Sequence, residues 1–328
     1  MKHLFYILVF SLCNYTMYAQ DSLRVAFYNV ENLFDTLDQA GFADEFYTPS
    51  SDLGWDAQKY QTKLDRLAEV IEMLSFPDVM GLAEVENRKV LEDLIHHGRL
   101  SQYGYDIVHF ETRDFRGIDC ALIYRKDKSK LIDASLIPIL IDDPDYTGRD
   151  ALKVELMTEG KAWTVVVVHW PSRSGGLQKT NPRRWSAARQ VRTALAGFQK
   201  KGHCVIMGDF NDEPSDVSIK DTLGAALSFN DGSSADWYNL AGTVFEKGLG
   251  TYNYRGNWNL LDQMIGNQNM LDCSDNFCMR SMKILKDKRL MFEHPRFGSS
   301  PSRTAGGPNY YGGYSDHLPI YSTLIIGD

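Results

Sequence analysis

The sequence predicts an α/β chain in which β-sheets pack face to face with helices on their outer sides, and three observations predict it. Short runs rich in Val, Ile, Leu and Tyr recur along the chain and outnumber the segments with helical spacing. Several of these runs follow one another with only turn residues between them, as antiparallel neighbours do. A hydrophobic fraction of 43% in 328 residues supplies a large core, and no repeat or linker divides it.

The elements follow in order. LRVAFYNV (23–30) reads as a strand. Residues 57–74 carry Leu64, Leu67, Val70, Ile71 and Leu74 at helical spacing. PDVMGLAEV (77–85) is a buried strand, and Asn87 caps a short helix over VLEDLI (90–95). Strands are then expected at GYDIVHF, IDCALIYR, LIPILI (136–141), ALKVELM and WTVVVVHW. Asn181 and Pro182 open a helix to about Phe198, with Asn as its cap and Pro in its first position. Arg183, Arg184, Arg189 and Arg192 on or near that helix read as a solvated outer face. HCVIMGDF, WNLLDQMIG, MKILK and LPIYSTLII complete the strands, and the Gly/Ser/Pro-rich stretch 297–313 is a long loop.

The first twenty residues, MKHLFYILVFSLCNYTMYAQ, place Lys2 and His3 before an apolar stretch (4–12) and a polar segment ending at Ala19. That order is the plan of a secretory signal peptide. The expected organisation is therefore a leader over 1–19, a single domain over 20–328 and a secreted or periplasmic location. Four cysteines remain beyond the leader, and they allow three pairings in an oxidising compartment. Cys120 and Cys204 lie in apolar runs and read as free buried thiols, whereas Cys273 and Cys278 share a polar loop that a small ring would close. No CxxC or HxxxH spacing supports zinc. The net charge of −8 argues against nonspecific wrapping of a nucleic-acid backbone, but leaves room for a local basic groove on an acidic body.

Polar residues fall at strand ends. Asn29 ends FYN, Glu84 ends GLAE, His169 ends VVVVH, Asp209 and Asn211 end VIMGDFN, and Asp316 and His317 precede LPIYS. Asp262 lies inside the apolar run LLDQMI, where an unpartnered carboxylate costs several kcal/mol, about the penalty of a buried unpaired charge. Singly, each has an ordinary explanation as a turn residue, a solvated terminus or a core histidine. Together they supply oxygen ligands suited to Mg²⁺, Mn²⁺ or Ca²⁺, two imidazoles, and a carboxylate able to take a proton from water. Metal-assisted phosphoester hydrolysis needs those parts, because a cation and hydrogen-bond donors offset the negative charge that repels the attacking water.

In this set of motifs the chain resembles the endonuclease/exonuclease/phosphatase superfamily, of which deoxyribonuclease I is a member. The resemblance runs from FYNVENLFD through GLAEVEN, RGIDCALIYR, VVHWPSRSGG, IMGDFNDEPSD and LLDQMI to YSDHLPI. HWPSRSGG and RGID look most like a secreted bacterial branch. The resemblance implies a four-layered α/β sandwich of two mixed β-sheets flanked by helices. It further implies Glu84 as the central metal ligand, assisted by Asn29 and Asp316, with Mg²⁺ the expected ion. Asp209 would orient or deprotonate the water, and Asn211 would bind phosphate or a second metal. His317 would contact the phosphate with its tautomer set by Asp262, and His169 would be the other phosphate-facing imidazole, with Asp119 its candidate carboxylate. Arg173 would bind substrate phosphate. The activity implied is a nuclease cutting DNA or RNA. The alternatives are a phosphodiesterase or phosphatase for small-molecule or lipid head-group esters, and a binding protein without catalysis. No stable membrane insertion and no obligate protein partner are expected, and the chain is expected to act as a monomer.

Overall fold

A computed structural model describes residues 22–143, 146–198, 201–227, 229 and 235–327, so the expected leader lies outside the described residues. In chain order the strands are β1 (Ser22–Leu33), β2 (Val79–Val85), β3 (Tyr105–His109), β4 (Asp119–Arg125), β5 (Lys130–Ile137), β6 (Ala151–Thr158), β7 (Lys161–His169) and β8 (His203–Asp209). There follow β9 (Ala225–Ala226), β10 (Trp237–Asn239), β11 (Tyr252–Tyr254), β12 (Asn257–Asn259), β13 (Asp262–Asn267), β14 (Phe277–Cys278) and β15 (Met282–Ile284). The last are β16 (Met291–His294), β17 (Gly298–Pro301), β18 (Ala305–Gly306), β19 (Asn309–Tyr310) and β20 (Ile320–Ile326). Helices α1 (Ala57–Met73), α2 (Arg88–Ile95), α3 (Leu177–Ala194), α4 (Gly242–Glu246) and α5 (Gln268–Leu271) lie between them.

Two 7-stranded sheets form the centre. The first runs β14-β20-β1-β2-β4-β3, with β15 also on β20, and the second runs β5-β6-β7-β8-β13-β10-β9. Both are mixed: β1 with β2 and β7 with β8 are parallel, while most neighbours are antiparallel.

Side-chain alternation sorts the strands into layers. Val25 and Phe27 of β1 meet Val165 and Val167 of β7 and Met207 of β8 in the core between the sheets. Ala26 and Tyr28, one residue along, face the opposite way and pack with Leu64, Leu67 and Leu91 of α1 and α2. On the other side Val166 and Ile206 cover Ala187 and Val191 of α3. Helix, sheet, sheet and helix are thus the four layers, and burial on both faces is why the central strands read as unbroken apolar runs.

Asp56 caps α1 by accepting from Lys59 N–H, and Asn87 caps α2 by accepting from Val90 N–H, as the sequence predicts for the latter. Three local expectations are corrected. The strand placed at 136–141 lies earlier, at Lys130–Ile137, because Pro138 has no N–H with which to continue the ladder. Helix α3 begins at Leu177, five residues before Pro182, after Gly176, whose φ of 102° only glycine adopts without strain. Asn181 therefore does not cap it; its Oδ1 accepts from Arg184 Nη2 at 2.6 Å.

The third correction concerns Arg184 itself. It is fully buried at 0% exposure, its Nε 2.7 Å from Asp212 Oδ1 and its Nη1 donating to the carbonyls of Pro171 and Ser172. It anchors the segment after β7 to the segment after β8. Cys273 and Cys278 form a disulfide with Cα atoms 5.1 Å apart, and Cys120 and Cys204 are free and buried.

Arg184→Ala leaves the Asp212 carboxylate buried without its main cation. Such a change is expected to cost about 3–5 kcal/mol, read as a lower urea midpoint, whereas Arg189→Ala on the same helix should stay within about 0.5 kcal/mol. Equal stability of the two variants would show that the pair bears no load.

Candidate active site

The four central parallel strands end at one edge of the sandwich, where the sheets meet. His169, Asp209 and Asp262 lie in a single row across the second sheet, as paired residues of β7, β8 and β13. From the first sheet come Asn29 near the end of β1, Glu84 at the end of β2, and His317 just before β20. The GDF turn requires its glycine: a Cβ at Gly208 would lie 2.0 Å from Val168 O, so only glycine lets β8 approach β7 this closely.

Glu84 is turned out of its strand by a register break between Ala83 and Val85, and its φ is 66°. Glu31, Asn32 and Asn211 also have positive φ, at 51°, 59° and 51°. Four non-glycine residues in the left-handed region at one edge mark stored backbone strain, with a cost of the order of 1–3 kcal/mol each, sustained by the contacts around them.

Those contacts cross between the sheets. Asn29 Nδ2 donates to Asp209 Oδ2 at 3.1 Å and to Glu84 Oε1 at 3.4 Å, while its Oδ1 accepts from Glu31 N–H at 3.0 Å. Glu84 Oε2 accepts from Asn32 N–H at 3.0 Å. His317 Nδ1–H donates to Asp262 Oδ2 at 2.7 Å, and its Nε2 lies 3.8 Å from Asp209 Oδ2. His169 Nε2 lies 3.6 Å from Asp209 Oδ2 and 3.8 Å from Glu84 Oε1. Ser315 Oγ donates to Asn29 O at 2.7 Å and accepts from His317 N–H, so the SDH turn is tied to β1.

The two imidazoles differ in charge. Burial alone would lower both, but the carboxylates of Asp262 and Asp209 raise His317 well above the usual histidine range. His169 lacks such a bonded partner, and burial with the nearby Arg149 guanidinium holds it well below that range. Asp209 is pushed up to about 6 by burial, Asp262 adding to the shift and His317 opposing it.

Asp209, Asp262 and His317 bring ligand atoms within 4.8 Å of one another. With His317 protonated between them, one cation offsets two carboxylates, and the trio keeps a net charge of about −1. Glu84 is different. Among the described residues no Lys or Arg pairs with it, and its one ionic neighbour is the neutral His169. It is 14% exposed against 2% for Asp209, so it faces the open side of the seam. A carboxylate held by Asn29 and Asn32, lacking a cation and reachable from solvent, fits a hard divalent ion.

The remaining sequence expectations fare differently. Asp119 does not serve His169: it begins β4, where its Oδ2 accepts from His109 at 3.1 Å and its Oδ1 from Thr112. Arg173 is not free for substrate, since its guanidinium bonds Asn211 O, Asn259 Oδ1, Asp212 and Asp216. Asn211 turns its amino group to Asp209 Oδ2 and Trp170 O and so holds Asp209 rather than presenting itself to phosphate. Asn29 directs its amino group, not its oxygen, to Glu84. Asp316 lies outside the trio, and its Oδ2 accepts from Arg303 Nη2 at 3.2 Å.

Other residues join the site without a sequence signal strong enough to name them. Glu31, buried, accepts from Arg303 Nε at 3.1 Å and from Thr304 N–H. Burial first, and Asp316 second, push Glu31 up to about 7. Lys63 of α1 is buried and donates to Thr304 Oγ1 and Tyr314 O; its one legible sign is a lysine in the apolar stripe of Leu67 and Val70. Arg149 bonds the carbonyls of His169 and Trp170 and pairs with Asp114 at 2.9 Å. Tyr252 lays its ring 5.0 Å from that of His317.

The family model described as Endonuclease/Exonuclease/phosphatase family matches residues 24–325. Solved structures share the fold at low identity. D. rerio TDP2 complexed with a single-strand DNA product has a TM-score of 0.56 and 15% identity, covering 92% of this chain and 98% of that one. The human Nocturnin catalytic domain has a TM-score of 0.53 and 18% identity, over 92% and 94%. A Bacteroides thetaiotaomicron mannosyl-6-phosphatase has a TM-score of 0.56 and 18% identity, over 93% and 100%. No protein of curated function matches the chain.

Glu86, two residues beyond Glu84, fastens the first site loop by accepting from Asp35 N–H at 2.6 Å. Burial, with Asp35 and Asp44 nearby, pushes its carboxyl up to about 8, far above the usual carboxylate range. A raised carboxyl pKa favours the folded state at low pH, and that advantage drains away as pH climbs from the unfolded to the folded value. Glu86→Gln removes the titration, so its unfolding free energy from urea titration should exceed the parent's at pH 9 by an amount on the order of 2 kcal/mol, and the gap should close toward pH 4.5. A gap independent of pH would refute the assignment.

Proposed function

The chain belongs to the endonuclease/exonuclease/phosphatase family, and on that premise we propose that it is an exported, metal-dependent phosphodiesterase that hydrolyses DNA or RNA with an activated water. One observation carries the reading: a protonated His317 and an acceptor Asp209 stand 3.8 Å apart beside Glu84, a carboxylate without a cationic partner. Hydrolysis of a phosphodiester requires a donor to the phosphoryl oxygens, an acceptor for the water's proton and a counter-charge, and these are the three groups.

Glu84 would hold the divalent ion, with Asp316 the second carboxylate toward the rim, and Asn29 would fix Glu84 from beneath. The ion, when bound, supplies positive charge to the phosphate and to the departing oxygen. Asp209 Oδ2 takes the proton of the attacking water as the new P–O bond forms and the ester P–O bond breaks. Its raised pKa brings it nearer the working range of a base. His317 directs Nε2–H toward a non-bridging oxygen, and Asp262 keeps that proton in place by holding Nδ1. His169, neutral, offers its Nε2 on the other side of Asp209. Asn211 and Arg149 act through position alone.

Export is part of the proposal, resting on the Lys2-first, apolar-next order of the leader. The Cys273–Cys278 disulfide supports it, since such bonds persist in oxidising compartments. The net charge of −8 favours a second reading, a phosphatase or phosphodiesterase for small esters.

The test uses plasmid DNA, RNA, bis-p-nitrophenyl phosphate, a sugar phosphate and sphingomyelin in parallel, with EDTA and with Mg²⁺ or Mn²⁺ restored. Nucleic acid should be cut only with metal present, and His317→Ala and Asp209→Asn should each lower kcat by about 10²–10⁴-fold with the fold retained. Glu84→Gln should abolish the response to added metal. Turnover of small esters alone would replace the nuclease with the second reading, and no turnover of any substrate would leave a binding protein. Separately, mass spectrometry of protein recovered outside the cytoplasm should find an N-terminus near residue 20; an intact Met1 on that protein would defeat the leader.

A further inference from the structure

Beside the site, on the far side of one hairpin, lies a groove of about 510 Å³. Lys247, just past α4, Lys283 of β15 and Lys286 just beyond it line this groove together with Trp258 of β12. No carboxylate among the described residues lines it. Among the described residues none of the three lysines forms an ion pair, although the chain has 43 acidic residues for 35 basic ones. Three unpaired ammonium groups around one concavity repel one another, and an anion in the groove relieves that repulsion.

The hairpin β11–β12 connects groove and site. Tyr252 pairs with Asn259, and Asn253 with Trp258, so alternate pairs face opposite sides. Tyr252 and Asn259 face the site: the Tyr252 ring lies against His317, and Asn259 Oδ1 accepts from Arg173. Trp258 therefore faces away, into the groove, where Lys286 Nζ sits 5.5 Å from its ring centre. The wall is one β-ribbon thick, about 10 Å by the spacing of packed sheets. At its tip Arg255 lies over the ring of Tyr254, and both are exposed. A cationic and aromatic path thus runs from the site over the tip into the groove.

We propose that this groove binds the phosphate backbone of a single-stranded nucleic acid beyond the scissile phosphate, with Lys247, Lys283 and Lys286 as backbone contacts and Trp258 as a stacking surface for a base. Flexible single strands bend over a narrow ribbon, and stacking on an aromatic ring is tolerant of sequence. The proposal rests on the nuclease reading and names its substrate class. It also reconciles the acidic net charge with a polyanionic substrate, because the binding charge is local.

The experiment separates binding from cleavage. Anisotropy of a fluorescent single-stranded oligonucleotide is measured in EDTA across a salt series, for the full chain and for the combined Lys247→Gln, Lys283→Gln and Lys286→Gln variant. Turnover of bis-p-nitrophenyl phosphate with Mg²⁺ is measured in parallel. Loss of three contacts to a single strand should flatten the slope of log K against log salt by about 2, with binding roughly tenfold weaker at physiological salt. Small-diester turnover and the thermal midpoint should not change. An unchanged slope, or displacement of the oligonucleotide by polyglutamate at equal charge concentration, would overturn the groove; the latter would make it a dock for acidic protein. Lysine-dependent binding without cleavage would keep the groove and remove the nuclease, whereas cleavage with an unchanged slope would do the reverse.

Discussion

The hydrogen bond from His317 to Asp262 is the contact on which the site depends, because it joins the two sheets at the edge where their core gives out. Elsewhere the sheets meet through Val, Phe, Leu and Met, and that packing tolerates small shifts of register. At the edge it does not. His169, Asp209 and Asp262 occupy one row of the second sheet, and a slip of one residue in β13 would turn Asp262 to the opposite face. Buried carboxylates left unpaired would then cost more than the slip could return. The polar edge therefore fixes a register that the apolar core alone leaves less specified.

The same contact divides the labour of two histidines that look alike in sequence. Both end or precede a strand, and both are buried. Only His317 has a carboxylate on Nδ1, and that partner outweighs burial and keeps the ring charged. Among the described residues His169 Nδ1 has no hydrogen-bond partner, and burial keeps that ring neutral. A single hydrogen bond thus makes one imidazole a strong donor to an anion and leaves the other uncharged beside the open carboxylate.

Much of this was legible because the fold places its chemistry at the ends of apolar runs. Most of the runs are legible where both faces of a strand are buried, and the polar residues that end β2, β7 and β8, begin β13 or just precede β20 land at the same edge. Asp262 stood out by the cost of an unpaired charge within such a run. What escaped reading shares a different cause. Arg184 reads as solvated and Arg173 as a phosphate ligand on their own segments, and their partners Asp212 and Asp216 arrive from the turn after another strand. Asp119 was matched to His169 across strands whose order a sequence does not state; β4 lies beside β3, so its partner is His109. Glu31 sits in a left-handed turn, where alternation no longer assigns a face. Arg303 comes from the 297–313 stretch, which folds into part of two short hairpins instead of a plain loop.

That last segment also sets how the charges at this edge are distributed. Arg303 bridges Glu31 and Asp316, and Lys63 beneath them neutralises part of the same carboxylate group. The cations near the site are therefore spent internally, on holding carboxylates in place. Among the described residues Arg303, Lys63 and Arg149 are engaged in this way, and a net charge of −8 would repel a polyanion. If the substrate is a strand, its attraction has to come from outside this network, over a Debye length of about 8 Å at physiological salt. The lysines across the β11–β12 ribbon meet that requirement, because they are unpaired and one ribbon away. A site that keeps an excess of carboxylate for a cation repels a polyanion by itself, so under the nuclease reading a separate cationic surface has to gather the strand, away from the groups whose protonation the chemistry uses.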